Sequence, residues 1–386
     1  MPDPADTHLL VFLTRHGSLG QWKSVGMLDR ELAIYRALRP SLRAISLVSY
    51  GGRGEQAIAR EAATGIEVVA RGCAGRHWHR WWRDHVWLPA RRRPVVLKSN
   101  QVLGGELPAR LAKRHGLPFV ARCGYLRSRF AQLESGTDSP QAADEIRAEG
   151  EVFRAATRVV VTTSAMRDDA ATLHHIPHER FRVVPNYVET GRFRPLPDGP
   201  LRKRGLPAGG PLRLVSVGRL APQKNLHVLL AAVQQAGAEL TLVGEGEQRD
   251  DLQALATRIG ARVTFAGAKP SADLPAVLQA HDAYIQASLY EGHPKALIEG
   301  LACGLPAIGT RVPGIDDLLE HRKTGLLCEP TADALAGAIR ELADDGDLRA
   351  SLGGAARAMC EREFSLERVR ELELEVYRGI GPEEHA

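Results

Sequence analysis

A chain of 386 residues is too long for one ordinary hydrophobic core and divides naturally into two domains of roughly 150–200 residues. Its 44% hydrophobic and 25% charged residues exclude a disordered or fibrous class and fit a soluble globular protein. The formal net charge of +5 is modest for this size: it favours anionic partners such as nucleotide phosphates or acidic membranes without demanding them.

Five scattered cysteines (Cys73, Cys123, Cys303, Cys328, Cys360) contain no CxxC pair, which argues against a disulfide framework or zinc site and for a reducing compartment. The start, MPDPADTHLLVFLTRHG, is acidic before a short apolar run, unlike a signal peptide, and no window reaches the length of a spanning helix. A cytoplasmic location is the expectation.

Short β-type runs alternate with helical stretches, the pattern of parallel sheets covered by helices. In the first half, residues 9–13, 44–48, 66–69, 95–97, 119–121 and 159–162 read as strands, with helical patterns at 28–38 and 106–114. The loop TRHGSLG after the first strand carries Gly17 and Gly20. Residues 52–57 (GRGEQA) fit GxGxxA, but they follow the second strand and no acidic residue closes the next one, so dinucleotide binding is declined. KSNQ, with Asn100, and RCGY, with Arg122 and Tyr125, each follow a strand and should face a cleft between two halves. Cys123, beside a glycine, reads as a buried thiol rather than a nucleophile.

From Arg76 to Arg93 (RHWHRWWRDHVWLPARRR) the chain carries four of its five tryptophans, six arginines and one acid, Asp84. Three readings stand: a helix packing its tryptophans inward, an interfacial anchor on an anionic membrane, or a platform for a sugar or lipid-diphosphate acceptor. Basic charge confined to this segment argues against nucleic-acid binding. Residues 187–211 then hold five prolines and several glycines and read as a linker.

A second series of strands follows at 212–217, 239–243, 262–265, 283–287 and 306–309. Around it lie three informative segments. VSVGRLAPQK delivers Gly218 and Arg219 at a strand's C-terminal edge, with Lys224 five residues on, so two cations could converge on one diphosphate. LTLVGEG runs a strand into a turn with Gly244 and Gly246, where backbone could approach a ligand. SLYEGHPKALIEGLACGLP places Pro294 at a first helical turn, whose exposed amides and dipole suit phosphate. Glu291 in its loop and Glu299 in its helix could hold hydroxyls at opposite ends of a diphosphate; the bland alternative makes one a cap and the other a solvated residue. Near the end, the DxD spacing Asp345–Asp347 reads as helix capping rather than metal binding. Residues 366–377 form an amphipathic helix with Leu366, Val369, Leu372 and Val376 as its apolar stripe, able to dock on either half.

Taken in order, VGRL with its following lysine, VGEG, the E-x7-E pattern in EGHPKALIEGLACGLP and the run TRVPGIDDLLEHRKTGLLCEP resemble the donor half of glycosyltransferase family 4. The likeness covers about residues 215–330 and extends more weakly to VVPN at 183–186 and to Thr163–Ser164. The resemblance implies an α/β GT-B fold of two Rossmann-like domains with parallel sheets facing a cleft: 1–190 on the acceptor side and 191–365 binding the donor, with a C-terminal helix at 366–386 that packs back on the first.

It further implies a retaining hexosyltransferase using a nucleotide diphosphate sugar, UDP before GDP, in glycoconjugate or polysaccharide synthesis. Arg219 and Lys224 would bind the diphosphate, Glu299 the ribose and Glu291 the transferred sugar. Gly292, His293, Pro294, Lys295, Ala296 and Leu297 would lie along sugar and phosphates, with Gly218, Gly244 and Gly246 lining the nucleotide pocket. Phe265 and Leu274 would border the base. His293 stands where relatives often carry an aromatic residue, a difference that would bear on sugar choice. Gly17 and Gly20 match the family's glycine loop loosely, being spaced rather than adjacent. Near Arg122 and Tyr125 many relatives have a histidine that this chain lacks; these two, with Asn100, are the acceptor-side candidates.

No cofactor or metal is expected, since two cations and a helix N-terminus can replace one, and retention is expected by front-face attack rather than through a covalent enzyme intermediate. The expected partners are the nucleotide-sugar donor, an unidentified acceptor (glycan, lipid-linked or small molecule) and, through Arg76 to Arg93, the anionic inner face of a membrane. Two other classes remain: a nucleotide-sugar epimerase or hydrolase on the same fold, and a non-catalytic nucleotide- or membrane-binding module.

Overall fold

The computed structural model of the chain describes residues 3–70, 81–83, 86, 93–196 and 210–380. Two compact units divide it. The first comprises Met1–Pro185 with Val369–Ala386, and the second Asn186–Arg368.

The first unit is a seven-stranded parallel sheet: β1 (His8–Phe12), β2 (Ala44–Ser49), β3 (Glu67–Ala70), β4 (Val95–Ser99), β5 (Phe119–Cys123), β6 (Arg158–Val161) and β7 (Phe181–Val183), in the order β3-β2-β1-β4-β5-β6-β7. Its helices are α1 (Leu19–Ser24), α2 (Leu28–Leu38), α3 (Glu55–Ala62), α4 (Glu106–His115), α5 (Arg127–Ser135), α6 (Pro140–Ala155) and α7 (Ser164–His174). Strands buried on both faces become continuous apolar runs, and Leu9–Phe12 accordingly shows no exposed residue.

The second unit is a six-stranded parallel sheet: β8 (Arg213–Val217), β9 (Glu239–Val243), β10 (Arg262–Gly267), β11 (Ala283–Gln286), β12 (Ala307–Thr310) and β13 (Leu326–Cys328), ordered β10-β9-β8-β11-β12-β13. With it run α8 (Leu226–Ala236), α9 (Arg249–Ile259), α10 (Leu274–Gln279), α11 (Lys295–Ala302), α12 (Ala332–Asp344) and α13 (Gly346–Met359). Alternate residues of β8 feed opposite cores: Leu214 packs with Leu229 and Leu240, Val215 with Tyr284 and Ile298. In both sheets the strand order reverses, between β1 and β4 and between β8 and β11, and ligands of open α/β sheets bind at the carboxyl ends beside such a reversal.

Two expectations change. The supposed linker is, in its first part, a piece of the second unit: Val188 bridges Ser365, and Val188 and Phe193 are buried in its core, because these apolar side chains find cover there. Residues 197–209 lie outside the described residues. The last helix, α14 (Leu366–Tyr377), begins in the second unit and continues in the first. Its buried stripe runs through Val369, Glu373, Val376 and Tyr377, whereas Leu366 and Leu372 stay half-buried. A glutamate takes a core position because Lys98 of β4 is buried opposite it. Lys98 Nζ lies 2.5 Å from Glu373 Oε2 and 2.9 Å from the Tyr377 hydroxyl, and Arg122 Nη1 lies 3.1 Å from Glu373 Oε1.

Candidate functional site

The three motifs of the second unit converge at the C-terminal edge of its sheet. Gly218, directly after β8, donates its N–H to Val243 O (2.9 Å), and Leu220 donates to Glu245 O (2.9 Å). This lacing of VGRL against VGEG explains the glycines. Gly244 has φ +142, and a Cβ there would sit 1.9 Å from Gly218 O; one on Gly246 would meet Leu220 O at 2.2 Å. Their need is therefore set by backbone meeting backbone, a different reason from the ligand approach expected of them.

A short 3-10 turn, Pro222–Lys224, ends on Asn225 in the left-handed region and lays the Lys224 side chain over Gly218. Lys224 Nζ pairs with Glu291 Oε1 at 2.5 Å, joining two of the three candidate catalytic residues directly. Glu291 is not a helix cap: Pro294 is the N-cap of α11, with no side-chain hydrogen bond to the exposed amides. Arg219, on the same loop, is exposed and has no ion pair among the described residues. Glu299, read alternatively as a solvated residue, is only 3% exposed on α11; burial, with the Glu299 charge adding to it, pushes the Cys303 thiol up to about 12.

The remaining donor-side candidates have distinct environments. Gly292, His293, Pro294 and Leu297 are buried, while Lys295 and Ala296 are half-buried. His293 accepts the Asn186 N–H on Nδ1 (3.2 Å), takes the Asn186 side-chain N–H on its carbonyl (2.7 Å) and sets its ring edge-on to Phe364. The Asn of VVPN thus holds the EGHP loop. Phe265 and Leu274 pack into core clusters on opposite faces of the sheet, while the backbone beyond Phe265 reaches the motif: Gly267 O accepts the Gly244 N–H at 2.9 Å. Asp345 caps α13 through Leu348 N (2.8 Å), the role read for it.

Sequence reasoning missed three polar side chains here. Gln223, Gln286 and Ser288 all contact the Glu291 carboxylate, and Gln286 and Ser288 are almost wholly buried. The available signal was a glutamine ending the apolar strand AYIQ.

At the strand ends of the first unit the candidates are mostly engaged within that unit. The Glu55 carboxylate accepts from the amides of Leu19 (2.9 Å) and Gly20 (2.9 Å) and from the Ser49 hydroxyl, so the glycine loop is capped internally by the segment GRGEQA. A Cβ on Gly17 would stand 2.8 Å from Thr14 O. Asn100 accepts from the Tyr35 hydroxyl at 2.8 Å, and Arg122 pairs with Glu373. Tyr125 is 38% exposed and stacks on Phe130. Burial pushes the Cys123 thiol well up, as befits an inert group. Of the Trp/Arg-rich segment, Trp82 is a core residue with its ring tilted at 43° to that of His115, and Trp81 donates to Glu67 Oε1 at 3.1 Å. Residues 71–80, 84–85 and 87–92 lie outside the described residues.

Two family models match the chain: glycosyl transferases group 1 over residues 200–359, and a glycosyl transferase 4-like domain over residues 11–187. The D-inositol 3-phosphate glycosyltransferase of Saccharomonospora viridis is 30% identical over 303 residues, 73% of this chain and 69% of that protein. The glycogen synthase of Mycobacterium tuberculosis is 27% identical over 294 residues, 74% of this chain and 69% of that protein. Among solved structures, Anabaena HepE in complex with UDP and glucose superposes with a TM-score of 0.74 at 20% identity, covering 96% of this chain and 100% of that one.

Proposed function

Since the chain belongs to the family-4 glycosyltransferases of GT-B fold, we propose that it moves a hexose from a UDP-sugar to its acceptor with retention and without a metal. The observation that carries this reading is the Lys224–Glu291 pair, set over Gly218 with Arg219 on the same loop and the uncapped start of α11 following Glu291. Cleaving the sugar–phosphate bond builds charge on a diphosphate. At about 4 Å and an effective dielectric of about 20, each cation contributes on the order of 4 kcal/mol before desolvation. Only the part gained beyond the ground state speeds the reaction, at about 1.4 kcal/mol per decade.

Retention by front-face attack fits the state of Glu291. Its Oε1 already takes Lys224, Gln286 and Ser288, and a carboxylate so engaged is a poor nucleophile. UDP is favoured because the similar HepE structure is described as a complex with UDP and glucose. Acceptor recognition is assigned to the strand ends of the first unit, where Tyr125 offers an exposed ring. Attachment to an anionic membrane through the segment from Arg76 to Arg93 belongs to the same proposal. Vesicle sedimentation of Arg91→Glu/Arg92→Glu/Arg93→Glu tests it better than Trp82→Ala, which would open the core; equal sedimentation of wild type and the triple variant would end the idea.

Thermal shift with UDP, GDP and ADP, with and without EDTA, tests the donor reading. UDP should give the largest rise and EDTA should leave it unchanged; no rise with any nucleotide defeats the reading. Release of UDP from UDP-glucose at full rate without an acceptor would point instead to a hydrolase.

A further inference from the structure

Resting on that donor reading, we infer that Gln286, with Ser288, is a positioning residue: it saturates one oxygen of Glu291 and so turns the other toward a hydroxyl of the transferred sugar. Gln286 ends β11 and is 3% exposed. Both of its amide N–H donors are used. Oε1 faces the Tyr284 hydroxyl (3.2 Å), whose one proton is shared with Val217 O (3.3 Å), while Nε2 donates to Ser288 Oγ (2.7 Å) and to Glu291 Oε1 (2.8 Å). A flipped amide would set its carbonyl against the carboxylate, so only one orientation is stable. Because Ser288 Oγ accepts from Gln286, its single proton goes to Glu291 Oε1, at 2.6 Å. Lys224 adds a third donor to the same oxygen, at 2.5 Å.

The two carboxylate oxygens are therefore unequal. Among the described residues Oε1 carries three donors, whereas Oε2 has only the long approach of Gln223 Nε2 at 3.5 Å. A carboxylate offers about four lone-pair sites, so its remaining capacity to accept lies on Oε2. Burying a glutamine and a serine at a strand end is costly unless both are satisfied, and here both are satisfied by orienting one acid. A group holding a sugar hydroxyl must be fixed to within about 0.5 Å, and this network fixes it through three neighbours.

The test is calorimetric titration of UDP and of UDP-glucose into wild type, Gln286→Leu, Ser288→Ala and Gln286→Glu. Gln286→Leu should leave the UDP Kd within about twofold and raise that of UDP-glucose about tenfold, the effect of misaligning a hydrogen bond to a charged group. Ser288→Ala should act in the same direction, more weakly. In Gln286→Glu the new carboxyl must share a proton with Glu291, so the protonated pair keeps the donor contact and the doubly ionised pair repels. UDP-glucose affinity of that variant should then fall about tenfold from pH ~5.5 to ~8, a slope absent from wild type. An unchanged UDP-glucose to UDP ratio in Gln286→Leu overturns the inference, and so does equal weakening of both ligands. Failure of wild type to bind UDP instead defeats the donor reading on which it rests.

Discussion

Lys224 and Glu291 meet at 2.5 Å, are both largely buried and share one oxygen's hydrogen-bond shell, so neither acts alone. On the proposed reading, replacing Lys224 by Ala takes a cation away from the donor diphosphate, and it leaves the Glu291 charge beside it unneutralised. By analogy with the loss of one preorganised donor, kcat/KM should fall about 10²–10³-fold in Lys224→Ala. Glu291→Ala should fall by a similar amount, and the double variant little further, since members of one unit are not additive. Steady-state kinetics of the three variants checks this, and full additivity would refute the pairing. Gly244→Ala should be damaging for a separate reason: its φ of +142 and a Cβ 1.9 Å from Gly218 O force the two loops apart. Of this site, Gly218, Arg219, Lys224 and the two glutamates were readable because they sit in short local patterns at strand ends. Gln286 and Ser288 were not, because their meaning depends on Tyr284 packing under them and on the loop returning Glu291 above them, neither of which is a spacing rule.

Helix α14 was legible as an amphipathic helix, and Val369 and Val376 of its expected stripe are buried, but the rest of that stripe was misplaced. An apolar count chooses Leu366 and Leu372, whereas the buried face passes through Glu373 because a lysine lies fully buried in β4. Removing one partner of a buried pair leaves an uncompensated charge, so Glu373→Ala should cost about 3–5 kcal/mol of stability. The apolar pair Lys98→Met/Glu373→Leu should recover most of it, as measured by denaturant melts. Burial raises the Glu373 carboxyl, but Lys98 and Arg122 beside it outweigh that and hold it below the ordinary range. A depressed carboxyl stabilises the fold above its unfolded value of about 4.3, and that stability is lost as pH falls through the folded value. Acid unfolding should therefore steepen below about pH 4 in wild type and be blunted in Glu373→Gln, which has no such proton to take up.

At the scale of the whole molecule, the alternation of strands and helices fixed two parallel sheets, and the prolines near residue 200 marked roughly where one gives way to the other. The division itself falls after Pro185, because Val188 and Phe193 are drawn into the second unit's core, and again after Arg368, where α14 passes to the first. The motifs we assign to the donor lie in the second unit and the Lys98–Glu373 anchor in the first, so ligand and anchor should act on different transitions in a calorimetric scan. Saturating UDP at about a hundred times its Kd should stabilise the second unit by about 2.7 kcal/mol and raise its melting temperature. Ending the chain after Arg368 removes Glu373 and Tyr377 and leaves Lys98 and Arg122 without that carboxylate. The first unit should then melt earlier while the UDP-dependent rise persists. Unchanged melting of the shortened chain would show that the buried carboxylate does not hold the first unit together, and loss of the UDP response would show that the donor site needs more than the second unit's own strand edge.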